Sequence, residues 1–180
     1  MHIIIAGAAR SGKTTLSLKF NEYGYTHYKL DSIKRGICEA YNLKYDNWEE
    51  VSPIMCKIIN RVILDNKTDC NLGKEKYLFD TPFIYPKDIN LIDLSDTKAI
   101  FLGYSRVTPE EELKNVRMRE KENIWTTKID DENLIKLIEQ DIEFSKYLES
   151  ECNRLGIKYY DTSYDRESIL NEIINDIINM

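Results

Sequence analysis

The chain has 180 residues, of which 42% are hydrophobic and 31% charged, and its formal net charge at pH 7 is -6. This size predicts one domain over residues 1–180, and no apolar run approaches the ~20 residues of a membrane-spanning helix, which excludes membrane insertion. The negative charge disfavours nucleic acid and favours a small ligand, and the first residues lack a signal-peptide pattern, so we expect a cytoplasmic protein.

The first half of the chain alternates strand and helix patterns. Asp31 directly follows the second apolar run and is suited to cap a helix that begins near Ile33. Ser52 and Pro53 have the residue types of an N-cap and a first helical position, ahead of isoleucines that recur at four-residue spacing. In chain order, we predict a strand at 2–6, a helix at 13–20, a strand at 26–30, a helix from about 33 and a helix from 53.

The second half continues the alternation. Thr108 and Glu111 have the spacing of a capping box, which predicts the start of a helix. Because strands too apolar to face water alternate with helices, the predicted fold class is α/β, a three-layer α/β/α sandwich around a parallel sheet. In chain order, we predict strands at 77–79 and 99–103, a helix from 109 to about 121, a helix at 131–154, a strand at 157–160 and a helix at about 169–178.

One segment has a specific chemical signature. Residues 7–14 read GAARSGKT, which fills every position of the phosphate-binding pattern GxxxxGK[ST] between a predicted strand and a predicted helix. In such a loop, backbone N–H groups point at phosphate oxygens. Lys13 is predicted to neutralise the β- and γ-phosphates, and Thr14 to be a ligand of Mg²⁺. The predicted nucleotide-binding residues are Gly7, Ala8, Ala9, Arg10, Ser11, Gly12, Lys13, Thr14 and Thr15.

With GAARSGKT at 7–14, LDSIKRG at 30–36 and LFDTPF at 78–83, the chain resembles the P-loop kinases of small molecules, the adenylate-kinase and shikimate-kinase group. The resemblance implies a P-loop NTPase fold with a five-stranded parallel core and transfer of the γ-phosphoryl group of ATP. It also implies a substrate-binding segment after the second strand, at about 31–75, and an arginine-bearing lid after the fourth, at about 104–128.

Two aspartates end predicted strands at the sheet edge where ligands of parallel sheets bind. Asp31 is predicted to contact the acceptor or to act as the general base for its hydroxyl, with helix capping as the structural alternative. Asp80 resembles the carboxylate that holds Mg²⁺ in P-loop proteins and is also a substrate-side candidate. Its structural alternative is a loop-start aspartate before Thr81 and Pro82.

Four arginines are candidates for binding anions. Arg35 and Arg61 lie in the predicted substrate segment, where a guanidinium can hold a carboxylate or phosphate with two hydrogen bonds. Arg106 and Arg117 are predicted to be catalytic cations of the lid, with ion pairs to neighbouring glutamates as the alternative. The helical stripe of Arg117 also carries Lys114 and Lys121.

These features predict an ATP-dependent kinase that uses ATP and Mg²⁺, acts on a small-molecule acceptor such as a nucleoside monophosphate or a hydroxy acid, and is a monomer or homodimer. The alternative is a regulatory ATPase without an acceptor, because a P-loop fixes phosphate binding and not the fate of the γ-phosphate. The TKID sequence at 127–130 resembles a guanine-reading motif but follows a charged stretch, which argues against a GTPase. Tyr41, Tyr45 and Trp48 are suited either to stack on the acceptor or to pack in the core.

Overall fold

The computed structural model describes residues 1–68, 75–82, 84–119 and 124–179. Five parallel strands form its centre, in the order β2-β3-β1-β4-β5. This arrangement confirms the predicted α/β class and the five-stranded parallel sheet. The strands are β1 His2–Gly7, β2 Tyr25–Lys29, β3 Lys76–Thr81, β4 Thr97–Gly103 and β5 Lys158–Asp161.

Helices connect the strands and cover both faces of the sheet. None of the helices in the described part of the chain combines the length and the hydrophobicity that crossing a bilayer requires. Short 3-10 turns at Phe20–Tyr23, Pro86–Leu91, Leu94–Asp96 and Ile124–Lys128 complete the connections. The helices are α1 Lys13–Lys19, α2 Asp31–Ala40, α3 Trp48–Thr68, α4 Pro109–Met118, α5 Asp131–Leu155 and α6 Arg166–Ile178.

The central strand β1 is buried along its entire length and divides the core into two layers. Because successive side chains of a strand point to opposite faces, Ile3 and Ile5 pack with side chains of α1 and α6, whereas Ile4 and Ala6 pack with side chains of α3 and α5. A third apolar cluster joins α4 to α5 and includes Ala8 of the phosphate loop. The loop between β1 and α1 is therefore anchored on all sides by packed elements.

The beginning of α3 differs from the prediction. The helix starts at Trp48, and the side chain of Asn47 accepts a hydrogen bond from the Glu50 N–H at 3.4 Å, as an N-cap does. Ser52 is buried inside the helix, where its hydroxyl donates to Asp88 at 2.6 Å. Pro53 therefore lies within the helix, and Ser52 is a tertiary anchor where the sequence alone indicated a cap.

The capping box before α4 is confirmed. Thr108 accepts a hydrogen bond from the Glu111 N–H at 3.2 Å, and the Glu111 carboxylate accepts one from the Thr108 N–H at 3.0 Å. Pro109 occupies the first turn, where its missing N–H costs nothing. The predicted start of α4 thus follows from local chemistry alone. The predicted end of this helix, at about residue 121, falls in segment 120–123, which lies outside the described residues.

Candidate active site

The phosphate loop lies at the carboxyl edge of the sheet, and its two glycines, Gly7 and Gly12, are too close to neighbouring atoms to carry a side chain. Gly7 has φ +135°, and a Cβ atom at this position would lie 1.9 Å from the carbonyl oxygen of Leu102. The next residue, Ala8, donates its N–H to the same oxygen at 2.9 Å. Gly12, directly before α1, has φ +97°, a conformation that L-residues rarely adopt. The glycine spacing of the motif therefore serves the close approach of β1 to β4 and the turn into α1.

Lys13 is almost completely buried at the first position of α1, with 7% of its surface exposed. Its ammonium group donates a hydrogen bond to the carbonyl oxygen of Ala8, across the loop. Burial lowers the pKa of Lys13, while the charges of Asp80, Asp141 and Asp31 oppose this shift. The loop thus holds a poorly solvated cation among carboxylates, and a phosphate group is a chemically suitable partner for such a cation.

Thr14 and Asp80 meet beside this lysine. The Thr14 hydroxyl donates to Asp80 Oδ2 at 2.8 Å, and His27 Nε2 lies 3.6 Å from the same oxygen. Burial raises the pKa of Asp80, but the neighbouring His27 and Thr14 side chains and the Lys13 charge outweigh it, so the pKa lies below its ordinary value. Asp80 is therefore ionised at neutral pH.

The Thr14–Asp80 pair fits a magnesium site of the P-loop kind. Mg²⁺ prefers oxygen ligands and takes few of them from the protein, because it keeps several waters and binds substrate phosphates. A hydroxyl and an ionised carboxylate in contact at 2.8 Å satisfy that requirement. In the described part of the chain, no group of three or more His, Cys, Asp or Glu side chains forms a ligand set that would hold a metal by protein atoms alone.

A cleft of about 920 Å³ opens from the phosphate loop toward α2 and α5. Asp31 and Arg35 of α2 line it opposite Lys13, Thr14 and Asp80. The structure therefore brings both predicted acceptor-side residues of α2 into one cavity with the phosphate loop. The cleft is also lined by Ala9, Arg10, Lys29, Tyr45, Trp48, Pro82, Tyr85, Gln140, Asp141 and Phe144.

The distal wall of the cleft is aromatic. The rings of Trp48 and Phe144 have centroids 5.3 Å apart, and Tyr85 lies 6.1–6.2 Å from both. The buried ammonium group of Lys34 lies 3.5 Å from the Tyr45 ring centroid and 5.1 Å from that of Trp48, and burial lowers the Lys34 pKa to about 8. Tyr45 and Trp48 thus line the cleft, whereas Tyr41 is exposed and does not line it.

A second cavity, of about 390 Å³, lies on the other side of the phosphate loop. Arg166, the first residue of α6, donates to the Thr15 hydroxyl at 2.9 Å, and its Nε atom would lie 2.8 Å from a Cβ placed on Gly12. Thr162, after β5, donates its hydroxyl to the Ser11 carbonyl oxygen at 3.1 Å. These contacts join the loop after β5 and the start of α6 to the phosphate loop. The cavity is lined by Val107, Glu111, Glu112, Asn115, Met118, Arg119 and residues 162–166.

The structure does not bring three of the predicted arginines into the 920 Å³ cleft. Arg61 projects from the exposed side of α3 and pairs with Asp65 at 2.7 Å, because it lies on the helix face opposite the buried Ile59 and Ile63. Arg106 is 64% exposed and pairs with Glu149 at 3.0 Å. Arg61 and Arg106 therefore do not line the cleft in this structure.

Arg117 binds the segment that leads into α5. Its guanidinium donates to the carbonyl oxygens of Thr126 and Ile129, at 2.9 and 2.7 Å, and to the Asp131 carboxylate. These contacts tie α4 to the start of α5. Lys121, predicted on the same stripe, lies outside the described residues. Neither Arg106 nor Arg117 lines the 920 Å³ cleft.

In the structure, Asp31 is not the helix cap that was the structural alternative for this residue. The N-cap of α2 is Leu30, so Asp31 is the first helical residue and makes no capping hydrogen bond. A carboxylate in the first turn still interacts favourably with the helix dipole. The side chain is free of the capping role and lies in the cleft.

We expect Arg117→Ala to lower the free energy of unfolding by about 1–2 kcal/mol, because two backbone acceptors and Asp131 lose a charged donor. The melting temperature should fall by about 3–6 °C in thermal unfolding of the nucleotide-free protein. Arg106→Ala, which removes a more exposed ion pair, is the matched control and should change stability by no more than about 0.5 kcal/mol. Unchanged stability of Arg117→Ala combined with lost turnover would instead support the predicted catalytic role.

Sequence reasoning missed three residues of this region. Asp141 lines the cleft. The Tyr104 hydroxyl donates a hydrogen bond to the Asp141 carboxylate at 3.1 Å, and the Arg166 side chain packs against Gly12. Only Asp141 carried a signal, because it is a charged residue directly beside the apolar stripe of α5 formed by Leu134, Ile138 and Ile142. Tyr104 and Arg166 reach the site only through the three-dimensional arrangement of β4 and α6.

The sheet order and the phosphate loop after β1 define an α/β fold of the P-loop kind, and the solved structures that share this fold include kinases. The sequence matches no protein-family model and no curated protein. A shikimate kinase from Bacteroides thetaiotaomicron is similar over 100% of this chain and 99% of its own, with a TM-score of 0.54 and 14% identity. A shikimate kinase from Acinetobacter baumannii in complex with shikimate is similar over 99% and 93%, with a TM-score of 0.54 and 12% identity.

A deoxyadenosine kinase from M. mycoides with bound dATP is similar over 98% of both chains, with a TM-score of 0.50 and 19% identity. At these identities the likeness establishes the fold. It therefore confirms the resemblance to the P-loop kinases at the level of fold and leaves the acceptor to be argued from the site.

Proposed function

We propose that the protein is a kinase that transfers the γ-phosphoryl group of ATP to a small-molecule acceptor with an anionic group. The observation that carries the proposal is the 920 Å³ cleft, which joins Lys13, Thr14 and Asp80 to Asp31 and Arg35. A protein that only binds or slowly hydrolyses a nucleotide has no need of a large compartment beyond the terminal phosphate. The kinase neighbours support the proposal at the level of fold.

The nucleotide and the acceptor would approach the phosphate loop from opposite sides. Lys13 and the loop N–H groups bind the β- and γ-phosphates, and the cavity beside Arg119 and Arg166 accommodates the base. Mg²⁺, held by Thr14 and Asp80, would supply positive charge to the phosphate oxygens. The distal cleft then accommodates the acceptor, in line with the terminal phosphate.

Asp31 is the proposed general base. Its carboxylate orients the acceptor hydroxyl and takes its proton as that oxygen bonds to the γ-phosphorus, while the bond to the β–γ bridging oxygen breaks and ADP leaves. Arg35, one turn along α2, is placed to bind an anionic group of the acceptor. The aromatic wall of Trp48, Tyr85 and Phe144 suits an acceptor that also has a flat or ring-shaped face.

The test is ADP release from Mg-ATP with panels of nucleosides, nucleoside monophosphates, hydroxy acids and sugars. In the wild type, one acceptor class should raise ADP release well above the basal rate, with formation of the phosphorylated acceptor. If ATP binds but no acceptor changes the rate, the regulatory ATPase becomes the better interpretation.

Asp31→Asn should lower acceptor-dependent ADP release by about 10²-fold or more, because the variant keeps the shape of the side chain but cannot accept the proton. ATP binding without acceptor should change little. Glu39→Gln, a change of the same kind at an exposed position of α2, is the control and should behave as wild type. Full acceptor-dependent turnover by Asp31→Asn would remove Asp31 from the mechanism.

A further inference from the structure

The phosphate loop contains an arginine whose side chain the P-loop pattern does not require. Arg10 has φ +62°, in the left-handed region that residues other than glycine and asparagine rarely adopt. Its side chain is 2% exposed, and its guanidinium donates to the carboxylate of Asp141 on α5. The Tyr104 hydroxyl donates to the same carboxylate oxygen at 3.1 Å. A strained backbone and a buried ion pair together hold this cation in one place.

The ion pair borders the same cleft as the lysine of the phosphate loop. Arg10 and Asp141 line the same cleft as Lys13 and Asp80. The charges of both Arg10 and Asp141 act on the Lys13 ammonium, which shows that they are close to it. Because Arg10 is itself part of the phosphate loop, a change of side-chain rotamer would be enough to turn its guanidinium from Asp141 toward a phosphate bound there.

Phosphoryl transfer needs cations around the transferring group, and the two predicted lid arginines make other contacts. Arg106 pairs with Glu149, and Arg117 binds the carbonyl oxygens that lead to α5. A buried arginine–carboxylate pair gains little net stability, because both charges lose their hydration. A triphosphate, with several negative charges and more acceptor oxygens than one carboxylate, is a stronger partner for the same guanidinium.

We propose that the Arg10 side chain is a phosphate-binding cation that exchanges partners between the Asp141 carboxylate and the terminal phosphate of a nucleoside triphosphate. Asp141 and Tyr104 then act as positioning residues that keep the guanidinium at the mouth of the loop. The exchange gives the site a preference for a triphosphate over a diphosphate. The inference rests on the nucleotide-binding part of the proposed function and is independent of the acceptor.

The test is a double-mutant cycle on Arg10 and Asp141, with dissociation constants for Mg-ATP and Mg-ADP measured by calorimetry without acceptor. Arg10→Gly is the chosen variant, because glycine accepts φ +62° without strain. It should weaken ATP binding by about 10- to 100-fold and ADP binding much less. Asp141→Asn should tighten ATP binding by about fivefold, since the guanidinium no longer leaves a charged partner.

The signature of partner exchange is that Asp141→Asn has no effect on ATP affinity once Arg10 is glycine. Arg154→Ala, which removes an ion-paired arginine from the surface of α5, is the control and should bind both nucleotides as wild type does. Thermal unfolding of each variant verifies the fold. A purely structural pair would lower the melting temperature in both variants and leave the ratio of ATP to ADP affinity unchanged.

Two results would overturn the inference, and they are distinguishable. If Arg10→Gly binds ATP and ADP as wild type does, whereas Lys13→Ala does not bind, the nucleotide site stands and the role of Arg10 is structural. If the wild-type protein binds no nucleoside triphosphate, both the inference and the proposed function fail.

Discussion

Lys13→Ala is expected to lower ATP turnover by at least about 10²-fold, because it removes the buried cation that we propose binds the β- and γ-phosphates. The fold should survive. Burial lowers the pKa of Lys13, so the charged form of this side chain is less favourable in the folded protein than in the unfolded chain. The variant therefore loses a destabilising charge, and the melting temperature of the nucleotide-free protein should stay the same or rise.

The measurements are ADP release, ATP binding by calorimetry and thermal unfolding without nucleotide. The Ala8 carbonyl oxygen, which loses the Lys13 donor, still accepts the Ser11 hydroxyl at 2.9 Å, so no buried acceptor is left without a partner. Lys19→Ala, on the same helix and ion-paired with Glu167 at the surface, is the matched control and should retain full turnover. Full turnover by Lys13→Ala itself would contradict the nucleotide-binding assignment.

Much of the nucleotide side of the site could be predicted from sequence because its signal is local. The GxxxxGK[ST] pattern combines a turn, a helix start and a lysine within eight residues, and backbone geometry alone places Lys13 beside the loop. Asp80 was found because it follows an apolar run that forms an interior strand. The structure places it within β3, where the register brings it level with Ile5 of β1 and hence close to Thr14.

The arginines show where sequence reasoning fails. The residue type identifies a cation that suits phosphate, but the partner depends on which face of a helix the side chain leaves and on what packs against that face. Arg61 lies two residues from the buried Ile59 and Ile63, so helical geometry alone places it on the solvent side. For Arg117, the competing acceptors are carbonyl oxygens of the segment before α5, which no periodicity indicates.

For Arg10 the sequence analysis made the opposite error, because it left the side chain without a role. The motif assigns its position to backbone contacts with phosphate, so its side chain carried no prediction. Its partner, Asp141, is 131 residues away in sequence, and only the packing of α5 against the phosphate loop brings the two together. The side-chain chemistry of the site is thus set by tertiary contacts even where the backbone is set by the motif.

Asp80→Asn is expected to remove the response of nucleotide binding and turnover to Mg²⁺. The Asp80 carboxylate is ionised at neutral pH, because the His27, Lys13 and Thr14 side chains hold its pKa below the ordinary value against the effect of burial. Asparagine keeps the shape and still accepts the Thr14 hydroxyl, but it lacks the charge that a magnesium ligand needs. Turnover should fall by about 10²- to 10³-fold.

The variant should show a specific dependence on the metal. In EDTA, ATP should bind to Asp80→Asn as well as to the wild type or more tightly, because a negative charge near the phosphates is gone. With Mg²⁺ present, ATP affinity should rise for the wild type but not for the variant. Because a lowered carboxylate pKa contributes stability at neutral pH, the variant should also melt at a slightly lower temperature.

Asp65→Asn, an exposed carboxylate that pairs with Arg61, is the control and should keep the wild-type response to Mg²⁺. A normal response in Asp80→Asn would mean that Asp80 orients Thr14 and Lys13 without binding the metal. Loss of the response would instead support a metal site in which the Asp80 carboxylate and the Thr14 hydroxyl are both ligands. That result would explain why two residues 66 positions apart meet at 2.8 Å beside the phosphate loop.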